Sequence, residues 1–191
     1  MVISSEQHIA NSKTAISDFL SQVRSTIENL DERTLNTPED VEKWSMLQCL
    51  KHLSYAIEVY NENIEQAFTV GKHNSPSETF KSHWKGDMFT KMISPKDNGE
   101  IKTMKTFKSM MPKVVMESED TLAEFFSLHE KFAELIEQSK AFDLNKVKVN
   151  TALGPMVKLR LGDAFRFIIG HAQRHLIQLK RIKATVYQVP A

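Results

Sequence analysis

Residues 162–184 read GDAFRFIIGHAQRHLIQLKRIKA. Ala164, Phe165, Ile168, Ala172, Leu176, Leu179 and Ile182 recur at steps of three and four, the period of one face of an α-helix. His171 and His175 lie on that stripe, because the steps from Ala164 through Ile168, His171, His175 and Leu179 to Ile182 follow it. Their imidazoles are therefore expected one turn apart, pointing inward, where two nitrogens can hold one metal ion. Lys180, Arg181 and Lys183 near the C-terminal end suit the helix dipole. A helix with so broad an apolar face needs partners to cover it.

The rest of the chain supplies three. Glycine and proline together number 12 of 191, about half the usual share and too few for the turns of a many-stranded β fold. Residues 5–31 carry Ile9, Ile16, Phe19, Leu20, Val23, Ile27 and Leu30 as one stripe. A second helix opens at Ser45, whose hydroxyl and the Gln48 side chain form a capping box, and it runs through Leu50, Leu53, Ile57, Ile64 and Phe68 until Gly71 ends it. A third begins at about Ser118, with Glu119 and Asp120 in its first turn and Leu122, Phe125, Phe126, Phe132, Ala133 and Ile136 on its face. Four such helices bury their faces together, so the chain is expected to be all-α: a single domain over residues 1–191, built as a four-helix bundle. The connection of residues 71–116 between helices two and three is too long for a turn and is expected to carry short elements that pack on the bundle. Residues 146–149 alternate like a short strand, and Leu153-Gly154-Pro155-Met156 turns toward the last helix.

Composition narrows the partners. The formal charge is +1, which excludes the basic footprint of a nucleic-acid binder. No apolar run approaches the roughly 20 residues that span a membrane, and no secretory leader is legible behind Met1. The single cysteine, Cys49, excludes an internal disulfide and fits a reducing compartment, so a cytoplasmic location is expected.

His52 stands beside the core residue Leu53, one turn from Cys49 and Ala56, and can supply a third nitrogen to the pair on the last helix. Known metal patterns with similar spacing do not fit. A zincin protease needs Glu directly after the first His, and Ala172 stands there. Di-iron carboxylate bundles need Glu three residues before His, where Cys49, Ile168 and Ala172 stand before His52, His171 and His175. On spacing alone chance is the better reading, and with the apolar face and the inward His52 added it remains as good a reading as ligation.

Two stretches resemble the DinB-like (YfiT-type) family of four-helix-bundle metalloenzymes. One runs from Trp44 to the His52-Leu53 pair, and the other joins Leu153-Gly154-Pro155-Met156 to Gly162-Asp163 and the closing His171-x-x-x-His175-Leu176. The resemblance spans all four helices and is loose over residues 71–116. It implies a divalent metal, nickel or zinc, held by His52, His171 and His175, and an enzyme acting on a small-molecule substrate. Family members include thiol S-transferases and many proteins labelled hydrolases, so a bound water or a low-molecular-weight thiol would be the activated group. A non-catalytic bundle with a structural metal or a partner-binding role is the alternative. Neither nucleic acid nor membrane is an expected partner, and the resemblance leaves room for a homodimer. No catalytic residue beyond the ligands carries over.

Other residues have two readings each. His129, among Phe125, Phe126 and Phe132, is a core histidine or a fourth ligand; Cys49 is a small buried hydrophobe or a ligand. Tyr55 and Glu58 read as surface or rim residues or as groups that orient a ligand or a water, and Arg174 as solvated or interfacial, facing away from the histidines. Lys81, Lys85, Lys91, Lys96, Lys102, Lys105, Lys108 and Lys113 make the long connection basic, as a solvated face or as an attraction for an anionic thiol. Trp84 and Phe89 read as packing residues.

Overall fold

The Gln48 amide donates to Ser45 Oγ at 3.2 Å and the Ser45 amide to the Gln48 side-chain oxygen at 2.9 Å, closing the reciprocal box expected from the sequence. The helix it starts is one of four long ones. In chain order the computed structural model, which describes residues 1–71 and 75–187, runs β1 (Val2–Ser4), α1 (Ser5–Ile27), α2 (Glu32–Asn36), α3 (Met46–Gly71), β2 (Thr79–Lys81), α4 (Trp84–Ile93), α5 (Ser118–Gln138), β3 (Lys148–Thr151), β4 (Gly154–Arg160) and α6 (Leu161–Tyr187). Short 3-10 turns lie at Lys108–Met110 and Ser139–Ala141.

Helices α1, α3, α5 and α6 form a four-helix bundle. Each packs on two neighbours: α3 on α5 and α6, and α1 on α5 and α6. The helices consecutive in sequence, α1 and α3, therefore stand across the diagonal, as do α5 and α6. This puts α3 beside α6, the juxtaposition the histidines require. Phe125, Phe132, Phe165, Ile16, Leu47, Leu50, Ile64 and Ile136 are fully buried between the four helices, which is the apolar burial that drives the assembly.

The long connection carries α4, as expected, and α4 lies along α6. Small residues make that approach possible. A methyl group on Gly86 would overlap the Asp163 carboxyl, and one on Gly170 would overlap the Ser94 hydroxyl. Asp163 is wholly buried; its Oδ2 accepts from the His83 amide at 3.1 Å at the start of α4. Arg166 bridges Asp87 and Asp163 at 2.6 and 3.2 Å. Burial raises the Asp163 carboxyl, opposed by the His83 amide and by Arg166. The Gly162-Asp163 segment thus fastens α4 to α6.

Four details differ from the sequence reading. The first helix stops at Ile27, short of residue 31, because Asn29 takes a left-handed φ of 62° and Asp31 caps a new helix, α2, by accepting from the Thr34 amide at 2.8 Å. Residues 154–160 continue past the turn as β4, which pairs antiparallel with β3 in a hairpin. A second ladder joins β1 to β2 and ties the N-terminus to the long connection. Trp84, expected to pack, is 64% exposed. Among the described residues no helix is long and apolar enough to cross a membrane.

Candidate metal centre

His52 lies about two turns into α3, and His171 and His175 come from successive turns of α6. Diagonal packing makes these helices neighbours, and the three rings meet. His171 Nε2 lies 3.3 Å from His52 Nε2 and 3.1 Å from His175 Nε2, and the three ligand atoms all fall within 4.8 Å of one another.

Protonation follows from the surroundings. His52 Nδ1–H donates to the Met110 carbonyl at 2.9 Å. A carbonyl can only accept, so the His52 proton sits on Nδ1 and its Nε2 lone pair faces the other two rings. His171 Nε2 carries one proton at most, and that proton would have to serve both short contacts. One cation would instead take all three lone pairs. Burial lowers all three pKa values, that of His171 to about 3; the Met110 carbonyl partly opposes this at His52, the Arg174 charge adds to it at all three, and neighbouring histidines add to it at His171 and His175. Three neutral imidazoles, two of them buried and His171 partly so, converge through Nε2 and make a donor set that fits a divalent ion.

The cluster opens on a cavity of about 420 Å3. Its walls come from α3 and α6, from Trp44 before α3, from Ala152 and Leu153 of the β3–β4 turn, and from the irregular residues 101–107. Trp44 lies 5.0 Å from the His52 ring and nearly parallel to His175, at 6.4 Å and 13°. Its position is set by the loop before α3, which Arg181 of α6 holds through a bidentate pair with Glu39 at 2.7 and 2.9 Å.

Residues 16–179 match the profile of the DinB superfamily. The chain belongs to this superfamily. A solved structure, described as "YfiT from Bacillus subtilis is a probable metal-dependent hydrolase with an unusual four-helix bundle topology", is similar with a TM-score of 0.57 and 14% identity over 95% of this chain and 89% of that one. No curated protein matches. The likeness to the solved structure concerns the fold.

Within this DinB-superfamily bundle the remaining candidates separate. His129 is buried away from the cluster, with Nδ1–H donating to the Phe125 carbonyl at 2.8 Å and its ring 4.2 Å from that of Phe125. Cys49 is fully buried and its thiol is pushed far up by burial; it is not in the cluster. Glu58 is exposed and Tyr55 lies under Lys51. Of the lysines in the long connection, Lys102 and Lys105 reach the cavity wall.

Arg174 corrects the sequence reading. It is 7% exposed and lines the cavity rather than facing solvent, because residues 101–107 cover that flank of α6 and the Lys102 carbonyl accepts from its Nη2. Tyr60 is a further cavity residue the sequence did not single out. Burial pushes its phenol up, partly opposed by the Ala152 backbone, so it stays a hydrogen-bond donor. The period of α3 places Tyr60 two turns beyond His52, a signal hidden because Tyr60 also reads as core.

Proposed function

We propose that this chain is a metal-dependent enzyme in which His52, His171 and His175 hold one divalent ion, nickel or zinc, beside a substrate cavity. The observation that carries the reading is the convergence of three neutral Nε2 atoms on the wall of a cavity of about 420 Å3. A closed structural site would present four protein ligands; among the described residues the cluster has three. When bound, a divalent ion with three protein ligands supplies a Lewis acid at which water or a thiol becomes a nucleophile near neutral pH.

The chain's own residues do the rest. The Met110 carbonyl holds the His52 proton on Nδ1, fixing the tautomer that ligation needs. Trp44 covers one side of the cluster and limits water there. Tyr60 presents a hydroxyl that can hydrogen-bond a substrate carbonyl or leaving group. Hydrolysis of a small molecule is the leading reaction and matches the description of the similar Bacillus subtilis protein. Transfer of a low-molecular-weight thiol uses the same site with the thiol in place of water.

The test is elemental analysis of protein purified without a histidine tag, followed by ester, amide and thiol-transfer panels. His171→Ala is expected to lose stoichiometric metal while keeping helical circular dichroism, and His52→Ala to lose turnover. Full metal retention in the first variant, or equal turnover in wild type and the second, overturns the proposal.

A further inference from the structure

We infer that Arg174 is an anion-binding residue inside the cavity, and that the substrate of this site carries a carboxylate. The inference rests on the reading of the histidine cluster as the reacting centre, since that reading makes the cavity the substrate chamber.

Arg174 immediately precedes His175 on α6 and shares the cavity wall with all three imidazoles. Its Nη2 donates to the Lys102 carbonyl, whereas its Nη1 is buried and has no hydrogen-bond partner among the described residues. None of the ion pairs among the described residues involves it. A guanidinium cannot shed its proton in a protein, so this is a buried, permanent charge with one neutral partner. Such a charge is costly until a counter-ion arrives.

Among the described residues the cavity offers no buried counter-ion: Glu42 is the one acidic residue on its wall, and it is exposed. Lys43, Lys102, Lys105 and Arg181 add positive charge, and Arg181 is already engaged by Glu39. An anion entering the cavity would meet a predominantly positive field, strengthened by low-dielectric walls.

The walls also describe the remainder of the ligand. Tyr60, Ile93, Phe107, Phe167 and Leu153 are apolar or aromatic and fill the space beside the charged groups. A small molecule with a hydrocarbon or aromatic body and one carboxylate fits these surroundings: the carboxylate pairs with Arg174, and the body lies along the apolar wall with its reactive group toward the histidines.

Hexanoate and its uncharged counterpart hexanamide are the probes, measured by calorimetry on metal-loaded and on chelator-treated protein. Hexanoate is expected to bind wild type at least about tenfold more tightly than hexanamide, the range for a charge-assisted hydrogen bond. That preference is expected to persist after chelation, because it comes from Arg174 and not from the ion. Arg174→Gln is expected to lose the preference while keeping its metal content and helical circular dichroism, and Arg174→Lys to keep part of it. Equal binding of acid and amide by wild type overturns the inference, and that comparison needs no variant. A preference that survives in Arg174→Gln, or that disappears on chelation, also overturns it, since the carboxylate would then be held elsewhere. Loss of the metal reading alone, with the chelator-insensitive preference intact, leaves the assignment of Arg174 standing.

Discussion

Two histidines of this chain sit in equally apolar helical stripes and end in different roles. His175 meets two other imidazoles, whereas His129 is enclosed by Phe125 and Phe19, with ring centroids at 4.2 and 5.6 Å. Burial holds the His129 pKa at about 4 against the ordinary 6.5, partly offset by the Phe125 carbonyl. The folded chain therefore resists protonating this ring while the unfolded chain accepts the proton. Its contribution to stability is complete above pH 6.5 and is lost as pH falls through 6.5 toward 4. A displacement of that size corresponds to about 3 kcal/mol. Urea unfolding of metal-free protein at steps between pH 7 and 4 is expected to show the loss, and His129→Gln to flatten the profile by that order. An unchanged slope in the variant would remove His129 as the titrating group. The sequence made a core histidine of His129 because three phenylalanines flank it. It misread Arg174 for an equally physical reason: three residues after His171 is about 60° around the helix, a flank that periodicity assigns to solvent and that residues 101–107 in fact cover.

At the scale of elements, the site depends on how closely α4 and the segment after it lie on α6. That segment supplies the Met110 carbonyl to His52 and the Lys102 carbonyl to Arg174. Gly170 sits at the contact, facing the Ser94 hydroxyl and Ile93. Replacing an ordinary helical glycine usually gains helix propensity, but here the added branch meets packed atoms. Gly170→Val is expected to destabilise by about 1–3 kcal/mol, as overpacking does, and to weaken metal affinity by disturbing the segment that orients His52. Chemical denaturation and a metal titration of the variant check both; a more stable variant with unchanged affinity would show that the contact is slack. The capping box of α3 was legible because both of its residues are local. The hairpin formed by β3 and β4 was half legible, since the sequence showed one strand and the turn, whereas Lys158, Leu159 and Arg160 become a strand by pairing with Asn150, Val149 and Lys148.

For the whole molecule, the apolar core assembles from all four long helices. Removing metal should therefore leave the fold standing. A bound ion adds stability by mass action, about 2.7 kcal/mol at a free concentration one hundred times Kd, which for a chain of this length raises Tm by roughly 5–11 °C. Thermal unfolding with and without nickel or zinc is expected to show that rise in wild type and not in His171→Ala. Collapse of the chelated wild type to an unfolded chain would contradict the independence of core and site.

The sequence by itself determined the four helices, their inward faces and the placement of three histidines on two of them, because period, caps and breakers act over one or two turns. Only the tertiary structure decided that α3 stands beside α6, that His52 meets His171 and His175 through Nε2, and that residues 101–107 close a cavity over Arg174. Those outcomes depend on packing between segments 119 residues apart and more, and periodicity carries no record of which helix a face will meet or of what an irregular segment will cover.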